Sequence, residues 1–182
     1  MANKKNEQNR MEALKSYSIP TWNELPNLDL YMDQVITLME EYLSAYKKPE
    51  DKVITPSMVN NYVKLGVIPK PYKKRYGRIH LAYLTMVCSL KQIMPISDVQ
   101  KLLPLTLKED EVKQAFSAFS TAQKQIFQQV TEGVMASQQT LDETENATFS
   151  DFFEKAVQVA LTGNIYKILS ELIADRANLF NN

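Results

Sequence analysis

The sequence predicts an all-α, mainly helical fold, and three observations carry that reading. Only four glycines occur in 182 residues, apolar residues recur at spacings of three and four, and no segment repeats. The polar stretch 1–20 reads as a flexible tail. Pro20 to Pro26 reads as an extended lead-in anchored by Trp22. Asn27 then suits the N-cap of a helix with Leu28, Met32, Val35, Met39, Tyr42 and Tyr46 on one face, ended near Pro49. Thr55-Pro56 is a cap followed by proline at the first helical position, where its missing N–H costs nothing. That helix runs to about Leu65 and stops at Gly66.

Pro69 and Pro71 hold the next segment extended, and Gly77 closes a basic loop. Arg78 to Met94 carries Ile79, Ala82, Tyr83, Met86, Val87, Leu90 and Ile93, a helix with a wide apolar face. Ser97 to Gln100 and Thr106 to Glu109 both have capping-box form. The first opens a short helix to Leu103. The second opens a long one striped with Val112, Phe116, Phe119, Ile126, Phe127, Val130 and Val134. After an acidic linker over 141–147, Phe153, Val157, Leu161, Ile165, Leu169 and Ile173 step by four, with Gly163-Asn164 placed to split or bend that helix.

Composition removes most enzyme classes. One cysteine and one histidine leave no disulfide framework and no soft-ligand metal cluster. Four glycines leave no room for a dinucleotide fingerprint or phosphate loop, and no cofactor is expected. No carboxylate pair or Ser/His/Asp set is apparent, so the protein is expected not to be an enzyme. No run approaches the ~18 apolar residues of a membrane span, and no apolar stretch follows the polar N-terminus, which points to the cytoplasm. Cys88 sits among Met86, Val87 and Leu90 and reads as a buried thiol; His80 reads as a partly buried helix-start residue. The phenylalanines at 116, 119, 127, 149, 152, 153 and 180 read as core or dimer packing rather than an effector pocket, and any effector is unknown.

Net charge is zero, with 21 basic and 21 acidic residues, but the charge is segregated. From Lys52 to Ser97 there is no Asp or Glu, while Lys52, Lys64, Lys70, Lys73, Lys74, Arg75, Arg78 and Lys91 all fall there. Such a block points to a polyanionic partner, or to a basic face balanced by acidic neighbours in the fold. In the Thr55-capped helix, Ser57, Asn60, Asn61 and Lys64 share one face by their spacing of three, four and seven. Asn pairs bidentately with adenine and Lys reaches guanine edges or phosphate, so this acid-free face suits base contacts in a major groove. Lys70, Lys73, Lys74, Arg75 and Arg78 follow as phosphate contacts. Tyr72 and Tyr76 between them read as pegs holding the loop on the core.

The stretch from Met58 through Asn60-Asn61-Tyr62-Val63-Lys64, Gly66-Val67-Ile68-Pro69, a basic turn, Tyr83-Leu84 and Leu90 to Val99 resembles the winged helix-turn-helix of MerR-type regulators. It is similar more closely to an uncharacterised bacterial family, domain-of-unknown-function family 1836, through Asn60 to Lys64, Pro69-Lys70-Pro71, Tyr76, His80 to Leu84 and Leu90-Lys91-Gln92. The resemblance spans roughly residues 22 to 104. It implies a short β wing, a winged helix-turn-helix DNA-binding domain over 21–104, and a helical dimerisation or effector region over 105–182. MerR proteins place an Arg and an aromatic where Asn60 and Asn61 stand, so their phosphate contacts do not transfer.

The expected function is a sequence-specific, double-stranded-DNA-binding transcriptional regulator, a homodimer through helix 107–139. Its two half-sites would lie roughly 34 Å apart. The alternative is a non-enzymatic protein–protein interaction module using the same basic face.

Overall fold

The computed structural model describes residues 2–47, 52–142 and 148–177. Among them are seven α-helices: α1 (Ala2–Ser16), α2 (Met32–Tyr42), α3 (Pro56–Lys64), α4 (Arg78–Leu90), α5 (Ile96–Leu102), α6 (Glu109–Asp142) and α7 (Phe149–Ala177). The mainly helical expectation is met. No strand forms among the described residues, and in place of a β wing there are two isolated bridges, Leu30 with Tyr76 and Tyr72 with Arg75. The reason is length: two residues separate Tyr72 from Arg75, and the returning arm enters α4 after Gly77.

The core is organised about α4. Its residues 81 to 89 are all buried, as expected of a helix apolar on every side. Thr85 and Ser89 tolerate this burial because each hydroxyl donates to the carbonyl four residues earlier, Leu81 and Thr85, at 2.8 Å. Around α4 lie Val35 and Met39 of α2, Val59 and Tyr62 of α3, Val99 of α5, and Val112 and Phe116 of α6. Trp22 is buried with its ring 6.2 Å from that of Phe116, which fixes the lead-in on the core.

Three helix starts differ from the sequence expectation. Residues 27–30 are not helical: a bend at Asn27 and Leu28 leads to Leu30, which exchanges both backbone hydrogen bonds with Tyr76 at 3.0 and 2.9 Å. The helix waits until Met32, where Gln34 accepts from the Tyr31 N–H at 2.9 Å, and Leu28 is left exposed. At α5, Pro95 supplies the start with φ −59°, and its carbonyl accepts from Asp98 and Val99. Gln100 is therefore free of a capping role and donates to the Leu65 carbonyl at 2.9 Å. At α6 the accepting carboxylate is Glu111, paired with the Lys108 N–H at 2.7 Å, two residues after the expected box.

At the N-terminus, where the sequence suggests a flexible tail, the chain forms α1. Ala2 to Ser16 contains no β-branched residue and is rich in Lys, Glu, Gln, Arg and Ala, all good helix formers. It lies along α6, with Lys15 Nζ 3.4 Å from Glu132 Oε1. Tyr17 then reaches the core edge, its ring 5.0 Å from Phe127 and its hydroxyl donating to the Tyr42 carbonyl. Ile19 is buried, and its N–H donates to Gln123 Oε1 at 3.2 Å.

The helix expected over 107–139 is α6, and its first turns are committed to the core of its own chain, while Ile126 and Val130 are exposed. α7 is one helix through Gly163 and Asn164. It packs at its C-terminal end on α5, burying Ala174 and pairing Asp175 with Lys101 at 2.6 Å. Residues 143–147 of the expected linker, and Phe180, lie outside the described residues.

Glu40 holds the approach to α3. Its carboxylate accepts from Lys47 Nζ at 2.7 Å and from the backbone N–H groups of Val53 and Ile54 at 3.0 and 3.4 Å. Glu40→Ala leaves those buried donors without a partner and is expected to cost about 1–3 kcal/mol, read as a lower urea midpoint at unchanged slope.

Candidate nucleic-acid interface

α3 is capped at both ends by its own sequence. Thr55 Oγ1 accepts from the Met58 N–H at 3.2 Å, with Pro56 at the first helical position. At the other end Gly66 has φ +68°, a conformation that only glycine adopts without penalty. The Val67 N–H then donates to the Tyr62 carbonyl at 2.8 Å and the Gly66 N–H to Val63 at 3.2 Å, a complete Schellman stop. These caps set the face presented. Val59 and Tyr62 point into the core, whereas Ser57, Asn60, Asn61 and Lys64 are all exposed. Leu65 is half-exposed because it already lies in the turn.

Seven residues later the chain reverses through Tyr72-Lys73-Lys74-Arg75. The Arg75 N–H donates to the Tyr72 carbonyl at 2.9 Å, and both lysines have positive φ, 48° and 61°. That is the two-residue hairpin turn normally given to Asn-Gly. For a lysine, the left-handed conformation costs about 1–2 kcal/mol. Here the strained tip carries two adjacent cations.

Three contacts hold the turn in place. Tyr76 is buried and bonded to Leu30, so it is a peg as expected. Tyr72 is 74% exposed and is not a peg; the Lys73 ammonium lies 5.2 Å from its ring centroid. Arg75 donates through Nη2 to the Tyr31 hydroxyl at 2.7 Å and stacks 4.5 Å over that ring. Tyr31 is a site residue that sequence reading missed, since 44 positions separate it from Arg75 and nothing local marks the pair. His80 closes the base: its Nδ1 accepts from the Gly77 N–H at 3.1 Å, and its Nε2 lies 3.3 Å from the Lys70 carbonyl. The neutral tautomer protonated on Nε2 satisfies both bonds.

Of the five expected phosphate contacts, Lys70, Lys73, Lys74 and Arg75 are exposed. Arg78 is partly buried, with its guanidinium 5.7 Å from the Trp22 ring centroid and Nε buried without a hydrogen-bond partner. Among the described residues, none of the eight cations between Lys52 and Lys91 forms an ion pair with a carboxylate; the ion pairs found involve Lys15, Lys47 and Lys101. One acidic neighbour does lie at the base of this face: Asp29 lines a cavity with Gly77 and Arg78, without forming an ion pair with any of the eight.

Other chemistry is sparse. No group of three or more His, Cys, Asp or Glu among the described residues is placed to hold a metal ion. Burial pushes the Cys88 thiol up to about 12, so it stays protonated at neutral pH. A cavity of about 280 Å³ lies at the start of α4, lined by Asn27, Leu28, Asp29, Gly77 and Arg78. No helix among the described residues is long and apolar enough to cross a membrane.

A family model described as a domain of unknown function (DUF1836) matches residues 20–129, from the Trp22 lead-in through the first turns of α6. No curated protein and no solved structure matches the chain.

Replacing the tip with the residues its backbone prefers, Lys73→Asn with Lys74→Gly, is expected to raise stability by about 1 kcal/mol in urea unfolding, the relief of strain less the added freedom of the unfolded chain. His80 gives a pH dependence. Desolvation by burial lowers its pKa below the ordinary value, although the Lys70 and Gly77 bonds act the other way. A base lowered on folding stabilises above its free value near 6.5 and loses that contribution as pH falls through it. The unfolding midpoint should therefore drop between about pH 7 and pH 5.5, and His80→Gln should flatten that drop.

Proposed function

The chain belongs to the family described as a domain of unknown function (DUF1836), and we propose that it is a cytoplasmic, non-enzymatic, sequence-specific DNA-binding regulator of transcription. In this reading residues 21–104 act as a reduced, MerR-like winged helix-turn-helix, with the Tyr72–Arg75 turn in place of a β wing. One observation carries it: a capped helix with an exposed, acid-free polar face leads directly into a turn of exposed cations, none of them paired with a carboxylate among the described residues.

Each part has a role. α3 enters the major groove, where Asn60 or Asn61 pairs bidentately with adenine, Lys64 reaches a guanine edge, and Ser57 accepts either base. Lys70, Lys73 and Lys74 meet phosphates, Arg75 does so while braced by Tyr31, and Arg78 completes the set from the start of α4. The strain at the tip fits this role, because it places two ammonium groups at the outermost point of the turn.

The exposure of Tyr72 and Leu65 among these cations favours a second reading, a module that docks an acidic protein surface. Apolar contacts flanked by positive charge suit such a partner as well as a duplex.

Fluorescence anisotropy on a randomised duplex tests the first reading. With five phosphates neutralised, log affinity should fall against log salt with a slope near −4.5. Charge reversal of Lys73, Lys74 and Arg75 to Glu should abolish binding, whereas Asn60→Ala should mainly relax sequence preference, by roughly 1–3 kcal/mol at one base pair. Absence of duplex affinity even at low salt would sink this reading, and nuclease-resistant capture of an acidic protein would then support the second.

A further inference from the structure

The most conspicuous unexplained surface lies on α7. Ten of its large apolar side chains are at least 46% exposed, from Phe149 to Ile173. Leu161, Ile165, Leu169 and Ile173 of the stripe that steps by four are all exposed on the chain that carries them. The C-terminal end of the helix is seated, where Ala174 is buried and Asp175 meets Lys101 on α5.

We propose that α7 is the surface through which two copies of this chain pair, α7 against α7 and parallel, about a two-fold axis. Area is the first argument. The exposed apolar side chains of α7 amount to on the order of 1,000 Å² around the helix, beyond the few hundred a monomer ordinarily shows, and the seam side chains are the part that one partner helix covers. Spacing is the second. Leu161, Ile165, Ile168 and Leu172 follow one another at four, three and four, the seam of a two-helix coil, and a seam of this kind is complementary to itself.

Charge gives the direction. In parallel register Glu171 of one copy falls opposite Arg176 of the other, an attractive pair beside the seam. The antiparallel register that aligns Leu161 with Leu172 instead sets Lys155 opposite Arg176, two like charges. A lipid surface is a poorer occupant. The helix carries Asp151, Glu154, Glu171 and Asp175 against Lys155, Lys167 and Arg176, without the excess of basic residues that anionic headgroups select. This pairing moves the dimer contact from the helix expected over 107–139 to α7, and it holds whether or not the protein binds DNA.

Sedimentation equilibrium of the full chain tests it without nucleic acid. The wild type should run at twice the 20.9 kDa chain mass. Leu161→Glu with Ile168→Glu should return it to the monomer mass with unchanged far-UV circular dichroism, since both side chains are exposed in the single chain. Ile126→Lys with Val130→Lys on α6 should leave the dimer intact. Ile165→Cys should form an interchain disulfide on mild oxidation if the helices are parallel, because equivalent positions then face each other. A monomeric wild type, or a dimer broken by the α6 pair and not by the α7 pair, overturns the proposal. A crosslink absent from an intact dimer overturns its parallel form. A dimer that ignores every duplex would leave this pairing standing while the DNA-binding reading fell.

Discussion

The whole arrangement depends on the burial of α4. A helix apolar around its full circumference cannot remain in water, and its residues 81 to 89 are enclosed by side chains from α2, α3, α5 and α6. Each fully buried aliphatic side chain there contributes about 1.5–3 kcal/mol. The polar hydroxyls of Thr85 and Ser89 add no unmet demand because the helix backbone accepts them. The basic turn runs directly into this helix at Gly77 and Arg78, and α3 packs against it.

The basic turn illustrates the dependence. Two consecutive lysines in left-handed conformation persist only where neighbouring contacts over-determine them. Leu30 and Tyr76 exchange two backbone bonds on one side, and the Tyr31 hydroxyl and ring restrain Arg75 on the other. Beneath, His80 ties the Lys70 carbonyl to the first residues of α4, and its neutrality is enforced by the same burial that stabilises the core. The strain is local, while the forces that maintain it come from across the chain.

Much of this was legible in the residues. Thr55-Pro56 and Gly66 bound α3 because cap chemistry is local, and the four outward side chains follow from a 3.6-residue period. The apolar run from Ile79 announced a buried helix. Asn27 and Ser97 misled because a cap residue is a local offer, and a remote partner can outbid it: Tyr76 took the backbone at Leu30, and the Leu65 carbonyl took Gln100. The bracing of Arg75 by Tyr31 was invisible for the same reason. Periodicity also failed at α7 in an instructive way. A stripe stepping by four reports that a face is apolar, and it carries no information on which surface, or whose, will cover it.

Gln100 and Lys101 are neighbours on the seven-residue helix α5, and they hold opposite things. Gln100 grips the last turn of α3 through the Leu65 carbonyl, while Lys101 grips Asp175 near the end of α7. α5 is about 10 Å long at 1.5 Å per residue, too short to flex along its length. Through this one segment the end of α3 and the end of α7 are tied to each other, so neither can shift alone without breaking the Gln100 or the Lys101 contact.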